Sequence, residues 1–172
     1  DEWGSNYAGH FMLAAQAAGY SIPAGFIDHW KNFQRKKALS WAPDPNSFYG
    51  ADEVQAYRLY LLALAHAPEL GAMNRLKEFP YITVEAKWSL AAAYKLAGQP
   101  EIAMKMTANL PTTIKPYNLM YGTYGSDLRD EAMILETLNL LGRREQASAM
   151  VRSIASKLSQ DEWYSTQTTA YC

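Results

Sequence analysis

The chain has 172 residues, of which 49% are hydrophobic and 19% are charged. At this length a chain forms one ordinary globular domain and buries about two-thirds of its unfolded surface, so it needs no metal ion or disulfide to fold. The net charge of −1 excludes a protein that binds nucleic acid through bulk positive charge. The single cysteine, Cys172, excludes an intramolecular disulfide, and no segment approaches the roughly 20 apolar residues that span a bilayer.

Both ends of the sequence indicate a fragment. The chain begins with Asp1 rather than with a methionine, and it ends at Cys172 within a stretch of sequence that is typical of a helix start. No signal peptide precedes the first apolar residues. We therefore expect a single all-helical domain fragment over residues 1–172, with any targeting signal outside it and with one apolar side incompletely covered.

Apolar residues recur at helical spacing along the first half of the chain. A first helix is predicted over about residues 7–18, with Gly19 as its stop. Pro23 and Pro68 are each placed in the first turn of a helix, the second over about residues 23–41 and the fourth over about residues 68–76. Between the second and the fourth helix, a proline-rich loop is followed by a third predicted helix over residues 52–66.

Caps and prolines define the predicted helices of the second half. Thr83 caps a fifth helix that stops at Gly98, and Pro100 opens a sixth helix that ends before Pro111. The longest irregular stretch covers residues 111–125. Ser126 then caps a seventh helix to residue 141, an eighth covers residues 143–158 and a ninth begins near residue 165. No stretch shows the alternation of a strand between turn signals, so the predicted fold class is all-α.

Three junctions between helices share one pattern: a leucine, a turn residue two positions later and a glutamate three positions after that. The turn residues are His66, Gly98 and Gly142. A left-handed turn residue followed by an acidic helix start is typical of tight helical hairpins. The unequal spacing of the junctions argues against a strict tetratricopeptide array, and it leaves open an irregular α-solenoid of tetratricopeptide-like hairpins or an α/α toroid.

Several strings resemble bacterial α-2-macroglobulins. They occur in the expected order over nearly the whole chain, and they are Trp-Gly-Ser-Asn-Tyr at residues 3–7, Gln-Ala-Tyr-Arg-Leu-Tyr at 55–60, Ala-Lys-Trp-Ser-Leu at 86–90, Tyr-Gly-Ser-Asp-Leu-Arg-Asp at 124–130 and Trp-Tyr-Ser-Thr-Gln at 163–167. The resemblance implies the later helices of the thioester-type α/α toroid. It also implies a non-enzymatic module of a protease-trapping inhibitor, located in the periplasm or at the cell surface. The implied partners are target proteases and neighbouring domains of the same chain.

The family's thioester needs a Cys-x-Glu-Gln motif, and these residues contain none. Glu145 and Gln146 form a Glu-Gln pair, but no cysteine lies two residues before Glu145, and Cys172 is not the thioester cysteine. The family places the motif upstream of the Trp3 string, so either a thioester protein or a thioester-less relative stays possible. The loop over residues 42–51 lacks the histidine of complement-type members, so a thioester upstream would react directly with amines.

No residue is predicted to be catalytic, to bind a cofactor or to hold a metal ion. The three histidines His10, His29 and His66 lack the clustering that a metal site requires. The acids Asp127, Asp130 and Glu131 are interpreted as complements to the dipole of the seventh helix, although paired carboxylates also occur in α/α-toroid carbohydrate enzymes.

Aromatic residues supply the candidate interface. The 12 tyrosines and 5 tryptophans are many for this length, and aromatic side chains dominate the energetics of protein contacts. We predict an interface from Trp3 and from three tyrosines of the long loop, Tyr117, Tyr121 and Tyr124. Two alternatives to the inhibitor module remain: a helical-repeat interaction scaffold and an α/α-toroid carbohydrate-active enzyme.

Overall fold

The computed structural model describes residues 1–44, 51–119 and 122–172, and within these ranges the regular secondary structure is helical. The helices are α1 Glu2–Ala17, α2 Phe26–Ser40, α3 Ala51–Leu64, α4 Leu70–Lys77, α5 Val84–Leu96, α6 Pro100–Met106, α7 Asp127–Leu140, α8 Arg144–Leu158 and α9 Thr166–Tyr171. One isolated bridge joins Asn118 and Ser126. The predicted all-α fold class is confirmed. Of the helices described, none has the length and apolar character that crossing a bilayer requires.

Three helix starts differ from the prediction. Helix α1 begins at Glu2 instead of residue 7, because the Asp1 carboxylate accepts a hydrogen bond from the Trp3 amide at 3.0 Å and caps the helix there. Pro23 and Pro68 both lie before their helices, so their placement in the first turn was wrong. Gly25, at φ 76°, directly precedes α2, and Glu69 directly precedes α4.

The other predicted caps are confirmed. The hydroxyls of Thr83 and Ser126 accept hydrogen bonds from the amides of Ala86 and Arg129, which starts α5 and α7. Ser165 caps α9 in the same way, and Pro100 occupies the first turn of α6. Because a cap satisfies a backbone amide that the helix leaves free, local sequence is enough to locate these starts.

The shared junction pattern corresponds to one backbone motif. His66, Gly98 and Gly142 all take left-handed conformations, at φ 58°, 76° and 71°. At the first junction the Ala67 amide donates to Leu62 O at 2.8 Å, and the His66 amide donates to Ala63 O at 3.1 Å. These two bonds define a Schellman motif, which satisfies the last carbonyls of α3, and the same pair of bonds closes α5 and α7.

The odd-numbered helices form a parallel inner row. Each of α1, α3, α5, α7 and α9 packs on the next one. Their N-terminal ends meet: Asn6 Nδ2 donates to Val54 O at 3.1 Å, and Ser126 Oγ lies 2.9 Å from Thr168 Oγ1. The even-numbered helices return antiparallel on the outside, as Lys37 near the end of α2 shows by its ion pair with Glu2 at 3.0 Å.

Burial separates the two layers. On α3 every residue from Asp52 to Ala63 is buried, whereas α2, α4 and α8 bury only a stripe of three residues each. A helix covered on all sides lies inside a protein, and a helix with one apolar stripe lies at its surface. The row is less covered at its edge, where Phe11 of α1 is 67% exposed.

Candidate functional site

The N-terminal ends of the inner helices enclose a cluster of charged side chains around Arg129. This guanidinium is fully buried, and its Nη2 atom donates to Glu53 Oε1 and to Asp130 Oδ1, both at 2.5 Å. Arg129 Nε also donates to Asp130 Oδ1 at 2.8 Å, and Nη1 donates to the Thr123 carbonyl at 2.8 Å. Glu53 lies on α3, so the cluster fastens α3 to α7 and to the loop before α7.

Two aromatic side chains complete the enclosure of Arg129. The guanidinium carbon lies 4.4 Å from the centre of the Trp3 ring, a cation–π contact that gains strength when it is desolvated. The Tyr117 hydroxyl donates to Asp130 Oδ2. Gly125 is required nearby, because a Cβ atom there would lie 2.5 Å from Tyr117 Oη and 2.8 Å from Arg129 Nη2.

Burial shifts the pKa values of both carboxyl groups in the cluster. Desolvation, reinforced by the nearby Asp130 carboxylate, raises the pKa of Glu53 to about 8 against the opposing effect of Arg129. Desolvation also raises the pKa of Asp130, whereas Arg129 and the hydrogen bond from Tyr117 lower it. Desolvation lowers the pKa of Arg129, but the two carboxylates outweigh that effect and the pKa lies above its ordinary value. With a pKa of about 8, Glu53 therefore holds a proton at neutral pH beside Arg129 and Asp130.

The acids at the start of α7 do more than complement the helix dipole: Asp127 and Asp130 lie in its first turn as interpreted, and Asp130 and Glu131 also have buried ion-pair contacts. Asp130 is 1% exposed and pairs with Arg129, and Glu131 is 2% exposed and accepts from Lys157 Nζ at 2.8 Å. Asp127 lies 3.4 Å from the same lysine nitrogen. The physical reason is that α7 belongs to the inner row, so its first turn faces α3 and α8.

The structure divides the four predicted interface residues. Trp3 is 2% exposed and packs on Arg129 and on Tyr57, whose ring centre is 4.8 Å away, so within this chain it stabilises the core. Tyr117 is half-buried against Asp130. Tyr124 is 49% exposed with a left-handed φ of 49°. Tyr121 lies outside the described residues.

The C-terminal half of the inner row holds a second polar group. His10 Nδ1 lies 2.9 Å from Tyr57 Oη, and the hydroxyls of Tyr57 and Tyr171 are hydrogen-bonded. Tyr60 Oη donates to Glu136 Oε1 at 2.5 Å. Burial lowers the pKa of His10, against the opposing effect of Glu136, so the ring is neutral at neutral pH. In the part of the chain that the structure describes, no group of three His, Cys, Asp or Glu side chains could hold a metal ion.

Glu53, Arg58 and Glu136 were not singled out from the sequence. Arg58 is 1% exposed and donates to Glu2 Oε2 at 2.6 Å. One signal in the sequence pointed to Glu53 and Arg58. Helix α3 carries large apolar side chains on all of its sides, and these two charged residues lie among them. Helices that are apolar all round are buried, so charges within them call for buried partners.

Comparisons with known proteins place the chain beside bacterial α-2-macroglobulins. No family model matches the sequence. The chain is 28% identical to the α-2-macroglobulin of Escherichia coli strain K12 over 181 aligned residues, which cover 96% of this chain and 11% of that protein. The crystal structure of Salmonella α-2-macroglobulin reacted with methylamine superposes with a TM-score of 0.81 at 23% identity, over 99% of this chain and 12% of the other. The E. coli protein activated by porcine elastase gives 0.77 at 22% identity, over 99% and 16%.

These relatives are much longer than the chain, which spans about a tenth of the curated relative. The structural matches establish the fold, and the sequence match covers the same residues. Both agree with the strings that first suggested the family, from Trp3 to Gln167. The resemblance of this chain to bacterial α-2-macroglobulins is therefore confirmed along nearly its entire length.

Proposed function

We propose that the chain is a non-enzymatic module of a bacterial α-2-macroglobulin-like protein that traps proteases, and that it forms part of the thioester-type domain. The observation that carries the proposal is the joint match in sequence and fold over 96% and 99% of the chain. One matched structure is described as activated by porcine elastase, which supports target proteases as partners of the intact protein. The same resemblance supports a periplasmic or cell-surface location.

The arrangement of the inner row supports the α/α toroid. The row bends until its first and last helices face each other: the rings of Tyr7 on α1 and Tyr171 on α9 are centred 5.7 Å apart. An open solenoid would carry its first and last repeats away from each other. An elongated particle in small-angle scattering would contradict the toroid.

The chain's own role in this proposal is structural. The Arg129 cluster fixes the starts of the inner helices relative to one another. The two hollows of about 860 and 340 Å³ at the other end of the inner row are not lined by Asp127, Asp130 or Glu131. This favours a scaffold over a carbohydrate-active enzyme, which would present converging acids in a cleft. We place the contact with neighbouring domains at the exposed Tyr124 and the loop around it.

The trapping role is tested on the intact parent protein. It is incubated with porcine elastase, and residual hydrolysis of a large protein substrate is measured against elastase alone. We expect limited cleavage of the parent followed by loss of elastase activity on the large substrate. Full elastase activity together with progressive degradation of the parent would overturn the proposal.

A second experiment concerns the thioester. If the parent carries Cys-x-Glu-Gln upstream of residue 1, methylamine should attack the thioester carbonyl, form an N-methylamide there and release the cysteine thiol. The mass of the parent should then increase by that of one methylamine, and changing that cysteine to serine should abolish the addition. If the motif is replaced, methylamine should leave the mass unchanged. Labelling of a parent that lacks the motif would contradict the account.

A further inference from the structure

The C-terminal end of the inner row opens into a hollow of about 860 Å³. Its wall is formed by α1, by the segment that joins α1 to α2 and by the ends of α3 and α5. The apolar lining side chains include Leu13, Ile22, Ile27, Leu64 and Leu96. This volume lies within the roughly 300–1,000 Å³ of small-molecule sites, which are likewise mostly apolar with a few polar groups.

A half-buried carboxylate without a cationic partner among the described residues lines this hollow. Glu136 of α7 lines it and also lines a neighbouring hollow of about 340 Å³ between α1, α7 and α9. Its Oε1 atom accepts from Tyr60. Among the described residues no Lys, Arg or His nitrogen lies within 4.0 Å of Glu136, in contrast to the paired carboxylates of Glu53, Asp130 and Glu131.

The backbone adds negative potential to the same place. Helices α1, α3 and α5 end at Ala17, Leu64 and Leu96, and all three residues line the hollow. A helix C-terminus carries a partial negative charge of about half an elementary charge. Three such ends and one carboxylate therefore line the cavity, against one helix start of opposite partial charge, that of α2 with its cap Gly25.

Lys31, His10 and His66 are the lining side chains that can carry a positive charge, and none of them forms an ion pair with Glu136. Lys31 is paired with Asp28 at 2.9 Å on the rim. His10 lines both hollows. Its neighbours there are Tyr57, Tyr60, Tyr171 and Glu136. Burial lowers the pKa of His10 and keeps its ring neutral. Glu136 is therefore left without a cationic partner among the described residues.

We propose that this hollow binds an organic cation in which an ammonium group is carried on an apolar stem, with the ammonium donating to Glu136 and the stem lying against Leu13, Ile27 and Leu64. A free alkylamine and a lysine side chain from a peptide segment present the same chemistry. The site is separate from the Arg129 cluster and does not depend on the proposed trapping role.

Calorimetric titration of the 172-residue chain tests the site with matched probes. The amine probe is n-hexylammonium and its neutral counterpart is n-hexanol. The peptide probe is acetyl-Leu-Lys-Leu-amide, with norleucine replacing lysine in its counterpart. We expect each cationic probe to bind at least about tenfold more tightly than its neutral counterpart, since a hydrogen bond to a charged group in a protein is worth that factor. Preference for the peptide over hexylammonium would identify a side chain as the natural occupant, and the reverse would identify a free amine.

Variants locate the binding. Glu136→Gln retains an oxygen that accepts from Tyr60 and should weaken cation binding about 10- to 100-fold while leaving hexanol binding unchanged. Glu145→Gln makes the same chemical change at an exposed position on α8 and should have no effect. Ala17→Trp, at an exposed position on the wall, should block every probe. Equal binding of amine and alcohol, or full amine binding by Glu136→Gln or Ala17→Trp, would overturn the proposal, as would the absence of binding by either cationic probe at millimolar concentration.

Discussion

The two ends of the inner helix row differ in how their charged side chains are paired. At the N-terminal end, Arg129 is surrounded by Glu53, Asp130, Tyr117 and Trp3. At the C-terminal end, Glu136 receives one hydrogen bond from a tyrosine and, among the described residues, no cation. The same parallel packing produces both ends, so the side chains decide the difference.

The contrast shows what each end can do. A fully paired cluster rigidifies the contacts between the helices that carry it, because every member loses its partners if one helix moves. A carboxylate that lines a cavity and has no cation among the described residues contributes no ion pair to stability, but it remains available to a ligand. The first end is suited to a scaffold and the second to binding.

Replacing Arg129 should have the largest effect. Arg129→Leu leaves the Asp130 carboxylate buried without its cation, which costs about 3–5 kcal/mol when one partner of a buried ion pair is removed. The free energy of unfolding from urea denaturation at pH 7 measures this loss. Arg152→Leu, at an exposed position on α8, is the matched control and should change stability by no more than about 0.5 kcal/mol. A loss in Arg129→Leu as small as that of the control would contradict the scaffold role of the cluster.

The next largest effect is expected where α1 crosses α2. A Cβ atom on Gly9 would lie 2.1 Å from Trp30 Cε2, so Gly9→Ala should force the two helices apart and cost about 1–3 kcal/mol, as overpacking does. Gly71 is the control, because a Cβ atom there meets nothing within 4 Å. Gly71→Ala should raise the melting temperature through its better helix propensity, worth up to about 1 kcal/mol. Stabilisation by both changes would show that α1 does not rest against Trp30.

The protonated carboxyl gives stability a characteristic pH dependence. The pKa of Glu53 is about 8 in the folded chain and about 4.5 when unfolded, so the folded state binds more protons between these values. Stability contributed by this group is therefore present below pH 4.5 and is lost as pH rises toward 8. Glu53→Gln removes the titration, and its unfolding free energy should fall less between pH 5 and pH 8 than that of the unmodified chain. Identical pH dependence in the two chains would exclude a proton stored at Glu53.

The smallest effect is expected at the other end of the row. Glu136→Gln keeps an acceptor for Tyr60 and removes a charge that has no cationic partner among the described residues, so stability should change by no more than about 0.5 kcal/mol. Urea denaturation under the conditions used for Arg129→Leu provides the comparison. A loss of several kcal/mol would mean that Glu136 belongs to a stabilising network after all.

Local signals in the sequence predicted much of the fold. Thr83, Ser126 and Pro100 mark helix starts through bonds made within one turn, and the junction pattern even placed His66 in the role that Gly98 and Gly142 fill. The misplaced starts have local causes as well. Asp1 caps α1 before its apolar pattern begins, and a proline in front of a helix satisfies the same steric rule as one inside its first turn.

The charged interior was beyond the reach of such signals. Glu53 and Arg129 are 76 residues apart, and helical periodicity cannot tell which distant helix faces a given side chain. The interpretation of the α7 acids used only their position in the helix, although Arg129, the ion-pair partner of Asp130, is the adjacent residue in the sequence. A burial estimate for α3 as a whole would have directed attention to Glu53.

Site-specific titration of the Glu53 carboxyl by NMR tests the difference between the two ends most directly. The chain is labelled with ¹³C at glutamate carboxyl groups, and the Glu53 resonance is assigned by its absence in Glu53→Gln. The account predicts a midpoint near pH 8, because burial beside Asp130 holds the proton on Glu53 while Arg129 neutralises Asp130. A midpoint at or below 4.5, the ordinary value for glutamate, would contradict the buried, protonated Glu53 on which the account of the N-terminal end rests.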